Sequence, residues 1–379
     1  MQDFNFTKGF IWSFLGFGIP LLILQSILAL SGELSLDYVV SRQLSDPIKL
    51  FSSGINQNAY NYKLTLLSKV RPEIIVIGSS RSMQVRKEFF RKKFVNLGGA
   101  VSNVSDLEAF ANDIKAKQNH PELILLFIDP WWFNKRYPGA SELHSSAEFP
   151  RVINMDVIIN AINLFSAGNW LKATLNSPNL GIHSLLTNEG FSQDGSYHYT
   201  NSITGKVKSV DANFVNTINR IDGDKQRFEK AETADAILLE RTCNAIRKMK
   251  TVTHNIVLIA PPFASPVWSK MDVRGYHYIS DAYKKISICS GESLFLDYSN
   301  PVTISSNDCE FVDGFHGGDT VSARMLEHAS LRSTKLSQVI DGDYIKDFVA
   351  KFKGYAAGLT MIRDTKVKEV DFLNLGCRK

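Results

Sequence analysis

The longest apolar stretch of the chain lies near its N-terminus. No charged residue occurs between Lys8 and Glu33, and the stretch between them has no polar face. A membrane-spanning helix needs about 20 mostly apolar residues. The pattern therefore predicts a transmembrane anchor over residues 9–31, after a short cytoplasmic end at residues 1–8. A buried core helix and a cleaved signal peptide are the alternatives, although the run exceeds the roughly 7–15 residues of a signal core.

Short aliphatic runs recur further along the chain. Residues 73–78 (Glu-Ile-Ile-Val-Ile-Gly) contain no internal polar side chain, which is typical of a central strand in a parallel sheet. Four similar runs occupy residues 94–97, 123–128, 255–260 and 294–296. Helical spacing occurs at residues 106–117, 233–249 and 278–286, and again from about Thr320. This alternation predicts an α/β fold, a parallel sheet flanked by helices on both faces.

Three segments interrupt or extend this alternation. Residues 32–70 mix apolar and polar positions and are predicted to form a helical stalk or a first packing layer. Residues 134–230 are rich in Asn, Ser, Gly and aromatic residues without a lasting period, which indicates an insertion within a catalytic domain at residues 71–332. The tail at residues 333–379 is predicted to be helical and then basic.

The charges and the cysteines indicate the expected surroundings of the protein. The net charge of +5 is spread among nearby acidic residues, which indicates a solvated surface and no nucleic-acid groove. Lys8 precedes the apolar run, and Glu33 and Asp37 follow it, which favours an extracytoplasmic body. None of the four cysteines has metal-like spacing. If the body is extracytoplasmic, Cys289 and Cys309 could pair, and buried free thiols are an equally open alternative.

Reactive groups in an open parallel sheet collect at the carboxyl ends of the strands. The strand predicted at residues 73–78 runs into Ser-Ser-Arg-Ser. Ser80 in this turn can present its hydroxyl at the sheet edge, near the positive end of a following helix. Because serine also caps helices well, this motif alone leaves a capping role equally open.

A second turn of small residues follows the strand predicted at residues 94–97. Gly98, Gly99 and Ala100 allow close approach of the backbone to a ligand, and their N–H groups, with that of Ser80, are predicted to bind an oxyanion. An ordinary tight turn is the alternative.

The third unusual segment is Asp313-Gly-Phe-His316-Gly-Gly, which precedes the last predicted helix of the domain. A carboxylate three residues before an imidazole can orient that ring and stabilise its protonated form. An isolated histidine is more often structural. The serine turn upstream makes a catalytic pair, Asp313 and His316, the favoured interpretation.

These turns, in this order, resemble the SGNH (GDSL-like) hydrolase superfamily. Gly78-Ser79-Ser80 resembles its first block, Asn96-Leu97-Gly98 its second and Asp313-x-x-His316 its last, over roughly residues 70–332. The resemblance implies a flavodoxin-like three-layer fold. It also implies that Ser80 is the nucleophile, His316 the base and Asp313 the group that orients the base.

This chain departs from the superfamily pattern at the position of the third block. That block normally brings an asparagine side chain to the oxyanion hole, but this chain has Asp129-Pro-Trp-Trp-Phe-Asn134 after the central strand. Loss of one such donor costs about 2.7–4 kcal/mol in catalysis, which argues against fast hydrolysis in solution unless Asn134 or backbone amides substitute.

This departure, the Gly-Ser-Ser-Arg form and the anchor resemble one branch of the superfamily. The branch contains extracytoplasmic proteins that act with membrane-bound O-acyltransferases, similar to the teichoic-acid D-alanylation and the alginate and peptidoglycan O-acetylation proteins. The resemblance implies a single-pass protein of the cytoplasmic membrane with a periplasmic serine acyltransferase domain. A membrane-bound O-acyltransferase partner would supply an acyl group, expected to be acetyl, and Ser80 would pass it to a polysaccharide. The reaction would need no metal or cofactor.

Six residues are predicted to contact the substrate: Arg81, Asp129, Trp131, Trp132, Asp194 and Ser196. The two tryptophans suit a glycan-stacking platform or the core equally. The Asp-Gly-Ser element at Asp194–Ser196 also suits a surface β-turn. Two other functions stay open, an esterase that uses the same triad and a non-catalytic polysaccharide-binding partner.

Overall fold

The computed structural model describes residues 7–9, 11, 12, 14–54, 59–117, 120–140, 159, 177 and 179–377. The chain forms two compact units, a smaller one of residues 1–57 and 148–193 and a larger one of residues 58–147 and 194–379. This division differs from the predicted one. Part of the predicted stalk belongs to the larger unit, and the predicted insertion at residues 134–230 is shared between the two units.

The regular elements are numbered along the chain. The strands are β1 Leu50–Phe51, β2 Ile74–Gly78, β3 Phe94–Gly98, β4 Leu123–Phe127, β5 Asn179–Leu180, β6 Gly190–Phe191, β7 Tyr197–His198, β8 Ile256–Ala260 and β9 Leu294–Asp297. The helices are α1 Ile19–Ser31, α2 Leu36–Ser45, α3 Tyr60–Val70, α4 Val104–Ala116, α5 Ile182–Thr187, α6 Thr200–Ile203, α7 Val215–Asp222, α8 Ala236–Met249, α9 Ser265–Val273, α10 His277–Cys289, α11 Asp319–Arg332, α12 Thr334–Val339, α13 Gly342–Lys351 and α14 Gly358–Arg363.

The N-terminal helical segment from Thr7 to Ser31 is long and apolar enough to cross a membrane. Its apolar side chains are largely exposed, including Trp12 at 72% and Phe17 at 81%. In α1 only Ile27, Leu28 and Ser31 are buried. A helix that exposes this much apolar surface differs from the core helix of a soluble domain.

The rest of the smaller unit contains short strands as well as helices. After α2 the chain forms β1, which pairs in parallel with β5 and antiparallel with β6. The buried Glu33 carboxylate accepts hydrogen bonds from Ser53 Oγ at 2.6 Å and from the Gly54 amide at 2.9 Å. It also accepts one from the Ile182 amide at 2.5 Å. Pairing with a segment more than 120 residues later in the sequence makes β1 a strand, and local spacing could not reveal it.

The larger unit contains the predicted α/β fold. Its five strands pair in parallel in the order β3-β2-β4-β8-β9, and helices flank the sheet. Every residue of β2, β3, β4 and β8 is buried, as their continuous aliphatic runs predicted. The order corresponds to 2-1-3-4-5 among these strands, a doubly wound arrangement in which ligands bind beyond the carboxyl ends.

Two disulfides join cysteines within the larger unit, Cys243 to Cys289 and Cys309 to Cys377. Neither of the two open alternatives, a Cys289–Cys309 pair or free thiols, is present. The reason lies in the packing of the helices. Cys289 ends α10, which packs against α8, and α8 carries Cys243.

Asp319 is a fully buried carboxylate at the start of α11. It accepts hydrogen bonds from the amides of Gly358 and Leu359 at 2.9 Å each, and Arg86 lies 3.9 Å away. Burial raises the pKa of Asp319 from 3.8 to about 7, against the opposing effects of Arg86 and the two amides.

Because folding raises this pKa, the native state binds the proton more tightly than the unfolded chain does. We expect the stability that Asp319 contributes to be complete below pH 4 and to fall, by about 4 kcal/mol in total, as the pH rises to about 7. Chemical unfolding of the wild type and Asp319→Asn between pH 4 and 8 measures this difference. The exposed Asp343→Asn serves as control, and parallel curves for wild type and Asp319→Asn would contradict the prediction.

Candidate active site

The turn after β2 presents Ser80 at the carboxyl edge of the sheet. A side chain at Gly78 would place its Cβ 2.7 Å from Phe127 Cβ on the neighbouring strand, so the turn requires glycine there. Ser79 Oγ accepts the hydrogen bond of the Arg81 amide at 3.2 Å and thereby caps the following 3₁₀ turn, Ser80–Ser82. The capping role thus belongs to Ser79, and the Ser80 hydroxyl is left for another partner.

That partner is His316. Ser80 Oγ lies 2.7 Å from His316 Nε2, and His316 Nδ1 lies 2.7 Å from Asp313 Oδ2. The other oxygen, Asp313 Oδ1, accepts the amides of Phe315 at 2.9 Å and His316 at 2.8 Å. The structure thus brings the three predicted residues together. Ser80 and His316, 236 positions apart in the sequence, lie within the distance expected of a nucleophile and its base.

The hydrogen-bond pattern defines the state of the imidazole. An ionised carboxylate only accepts, so Nδ1 carries the proton and Nε2 is free to accept from the Ser80 hydroxyl. Burial by itself would raise the pKa of Asp313, but the electrostatic interaction with the His316 ring and the hydrogen bonds from His316 and Phe315 outweigh it and lower that pKa. The side chains of His316 and Asp313 stay 14% and 26% exposed, so the site opens to solvent.

Three of the four amides predicted to bind an oxyanion already donate hydrogen bonds to oxygen atoms of the protein itself. The Gly98 amide donates to Asn96 Oδ1 at 2.6 Å, the Gly99 amide to Gly78 O at 2.8 Å, and the Ala100 amide to Leu97 O at 3.2 Å. The turn after β3 folds back on itself and on β2, which the small residues permit. In the described part of the chain, only the Ser80 amide of this set lacks an acceptor.

The predicted substrate contacts Arg81 and Asp129 have almost no exposed side-chain surface. Both side chains are buried and form an ion pair at 3.1 Å. Burial lowers the pKa of Arg81, and Asp129 opposes that effect. Since the sheet core encloses both groups, they contribute to the structure behind the site.

The other predicted substrate contacts are buried as well. Trp131 and Trp132 are 1% and 0% exposed, which confirms the core alternative and excludes the stacking platform. Asp194 is also buried; it accepts the amide and hydroxyl of Ser196 at 2.9 and 2.6 Å and the Lys87 amide at 3.0 Å. The Asp-Gly-Ser element is therefore neither a ligand contact nor a surface turn.

Asn134 does not replace the missing asparagine. Its side chain is buried, donates to the carbonyl of Glu229 and accepts the Arg136 amide at 3.0 Å. These bonds tie together the segments that follow β4 and α7, so the amide is not available to an oxyanion.

The sequence did not indicate Asp211. This buried carboxylate accepts the Thr217 amide and hydroxyl at 2.9 and 2.7 Å, and the Gly314 amide at 2.8 Å. It supports the backbone beside Asp313 from a segment without regular period. An isolated aspartate in an Asn- and Ser-rich stretch resembles a turn residue, so no sequence signal singled it out.

No family model matches this chain, and no curated protein and no solved structure shows significant similarity to it. Among the described residues, no group of three or more His, Cys, Asp and Glu side chains is placed to hold a metal ion. What the fold and site define is a class, an α/β domain with a Ser-His-Asp arrangement at the carboxyl edge of a parallel sheet. Such an arrangement can activate a hydroxyl for attack on an acyl carbon.

Proposed function

We propose that this protein is a serine acyl-transfer enzyme in which Ser80 forms an acyl-enzyme. The observation that carries the proposal is the pair of 2.7 Å contacts that connects Ser80, His316 and Asp313. A buried structural serine would not need as its partner an imidazole that a carboxylate orients and that reaches solvent. The occurrence of all three groups on turns beyond the strand ends also supports the assignment.

In the proposed mechanism, His316 Nε2 takes the proton of the Ser80 hydroxyl as Oγ attacks the acyl carbon of a donor ester. Asp313 stabilises the imidazolium that forms. The Ser80 amide donates to the developing oxyanion, and the imidazolium then returns the proton to the leaving alcohol. An acceptor hydroxyl, deprotonated by the same imidazole, then attacks the acyl carbon. The bond from that carbon to Ser80 Oγ breaks as the imidazolium returns the proton to Oγ.

The SGNH-like assignment is part of this proposal. The doubly wound order of the sheet and the placement of Ser80, Gly98 and His316 after β2, at the end of β3 and before α11 support it. The occupied amides around Gly98 support low hydrolytic power, because one oxyanion donor typically contributes a factor of about 10²–10³.

We further propose that the larger unit lies outside the cytoplasm, held by a single N-terminal membrane helix. The apolar segment Thr7–Ser31 and the two disulfides support this location, since disulfides persist in oxidising compartments. An anchored enzyme with weak hydrolysis suits acyl transfer to a cell-surface or secreted polysaccharide, with a membrane-bound O-acyltransferase as acyl source.

Acyl transfer and ester hydrolysis can be separated in one assay. The full-length protein in detergent is given an aryl acetate, and acetylation of added oligosaccharides is measured by mass spectrometry alongside acetate release. We expect transfer to exceed release to water, and both to vanish in Ser80→Ala. Release without transfer to any oligosaccharide would favour an esterase. Neither reaction in the wild type would support a non-catalytic binding protein.

A further inference from the structure

The loop that carries His316 is held from two sides by buried groups of opposite charge. The two backbone units that precede His316 are those of Gly314 and Phe315. The amide of Gly314 donates to a carboxylate, and the carbonyl of Phe315 accepts from a guanidinium. Both holding groups come from segments distant in the sequence.

The cationic side is Arg81, the residue after the nucleophile. Its Nε donates to Phe315 O at 2.8 Å, and its Nη2 donates to Pro261 O at 2.7 Å and Pro262 O at 2.8 Å. Nη1 bonds Asp129 at 3.1 Å, and the guanidinium lies 4.2 Å from the centre of the Phe263 ring. One planar group thus joins the turn after β2, the ends of β4 and β8, and the His316 loop.

The anionic side is Asp211. Both of its oxygens are engaged, with Thr217 as one partner and the Gly314 amide as the other. A side chain at Gly314 would place its Cβ 2.8 Å from both Thr217 and Val267, so the loop packs tightly against α7 and α9. The position of the loop therefore depends on Asp211 as well as on Arg81.

We propose that Arg81 and Asp211 are positioning residues that form a clamp on residues 314–315 and set the place of the His316 ring relative to Ser80. This inference rests on the proposed role of Ser80 as nucleophile. The clamp explains why an arginine stands next to the nucleophile yet never reaches solvent. Its geometry needs the planar fork of arginine, which lysine cannot reproduce.

The clamp charges also act on the imidazole through space. The charged groups around the His316 loop are Asp313 on the loop itself, the Arg81–Asp129 pair after β2 and β4, Asp211, Arg220 on α7 and Asp319 on α11. Loss of the Arg81 cation stabilises the imidazolium, so the acid limb of the pH–activity profile, where activity falls on acidification, moves to higher pH. Loss of the Asp211 anion moves that limb to lower pH.

The test uses full-length protein in detergent and the rate of fluorophosphonate labelling as a function of pH. We expect Arg81→Lys and Asp211→Asn to label at least about tenfold more slowly than wild type, because small misplacements of reacting groups are costly. The pH at which labelling is lost on acidification should be unchanged in Arg81→Lys, higher in Arg81→Gln and lower in Asp211→Asn. A purely structural loss would not produce opposite shifts.

Two variants at partly exposed pairs control for the loss of similar polar contacts elsewhere. Arg241→Lys disturbs a two-bond pair with Glu108, and Asp281→Asn disturbs an acceptor for the Ala234 amide, both away from the site. Thermal unfolding identifies variants that do not fold, and Arg81→Lys keeps the test valid if Arg81→Gln is one of them. Wild-type rates and limbs in folded Arg81→Lys and Asp211→Asn would overturn the clamp.

Failure of the proposed function is distinguishable from failure of the clamp. If the wild type is not labelled, the Ser80 proposal falls, and the proton resonance of His316 Nδ1–H becomes the deciding readout. A shift or loss of this resonance in folded Arg81→Lys and Asp211→Asn supports the clamp, provided that the resonance is unchanged in Arg241→Lys and Asp281→Asn. An unchanged resonance in those variants contradicts it.

Discussion

Replacement of Ser80 by alanine is expected to abolish covalent labelling of the full-length protein by a fluorophosphonate. The reagent forms its bond to the hydroxyl that His316 Nε2 contacts at 2.7 Å, and no sulfur nucleophile competes, because all four cysteines are in disulfides. Removal of a triad nucleophile lowers rates by on the order of 10⁶-fold in a well-studied serine protease. The expected loss here is at least about 10⁴-fold.

His316→Ala should lose labelling to a similar extent, because members of such a triad act as a unit and their losses do not add. Labelling is measured by mass spectrometry of the intact protein and by peptide mapping. Ser82→Ala is the matched control, since the Ser82 hydroxyl donates to Ser79 O at 2.9 Å and is fully buried. Equal labelling of wild type and Ser80→Ala would refute the assignment of Ser80.

The second large effect concerns stability. Loss of the Cys309–Cys377 disulfide by double substitution with serine is expected to lower the free energy of unfolding by about 4 kcal/mol. The bond closes a loop of 68 residues, and release of that constraint gives the unfolded chain more conformational freedom. Cys243–Cys289, with a separation of 46, should contribute a similar amount.

Unfolding by guanidinium, with and without a reductant, measures both contributions, and non-reducing peptide maps establish the pairing. In the double variant Cys309→Ser/Cys377→Ser, reduction should still destabilise through the remaining bond. Four free thiols in the isolated protein would contradict both the pairing and the predicted loss. A Cys289–Cys309 peptide would contradict the pairing alone.

The elements that the sequence predicted correctly are those whose signal is local. Four of the five strands of the parallel sheet are fully buried, and mostly aliphatic runs predicted them, because a strand covered on both faces is apolar at most positions. The fifth strand, β9, is partly exposed, and its short apolar run predicted it. The helices between the strands appeared through their spacing. β1 was missed because its two residues become a strand only by pairing with β5 and β6.

The candidate site shows the same division. The Asp-x-x-His spacing and the serine turn carry their geometry within a few residues, so their type and order sufficed to predict that they meet. The availability of the Gly98, Gly99 and Ala100 amides depended on where the turn folds, and it was predicted wrongly. The burial of Arg81, Asp129 and Asp194 was missed, because a charged side chain beside a reactive residue usually indicates a ligand contact.

Local composition and short spacings were therefore sufficient to predict the apolar N-terminal segment, the parallel α/β core and the three residues Ser80, Asp313 and His316. The cysteine pairs, the role of Asp211 and the burial of Arg81 as a support for the His316 loop became visible only in the folded chain. Those outcomes depend on which distant segments pack together, and burial, which no local pattern encodes for a charged residue, then selects their partners.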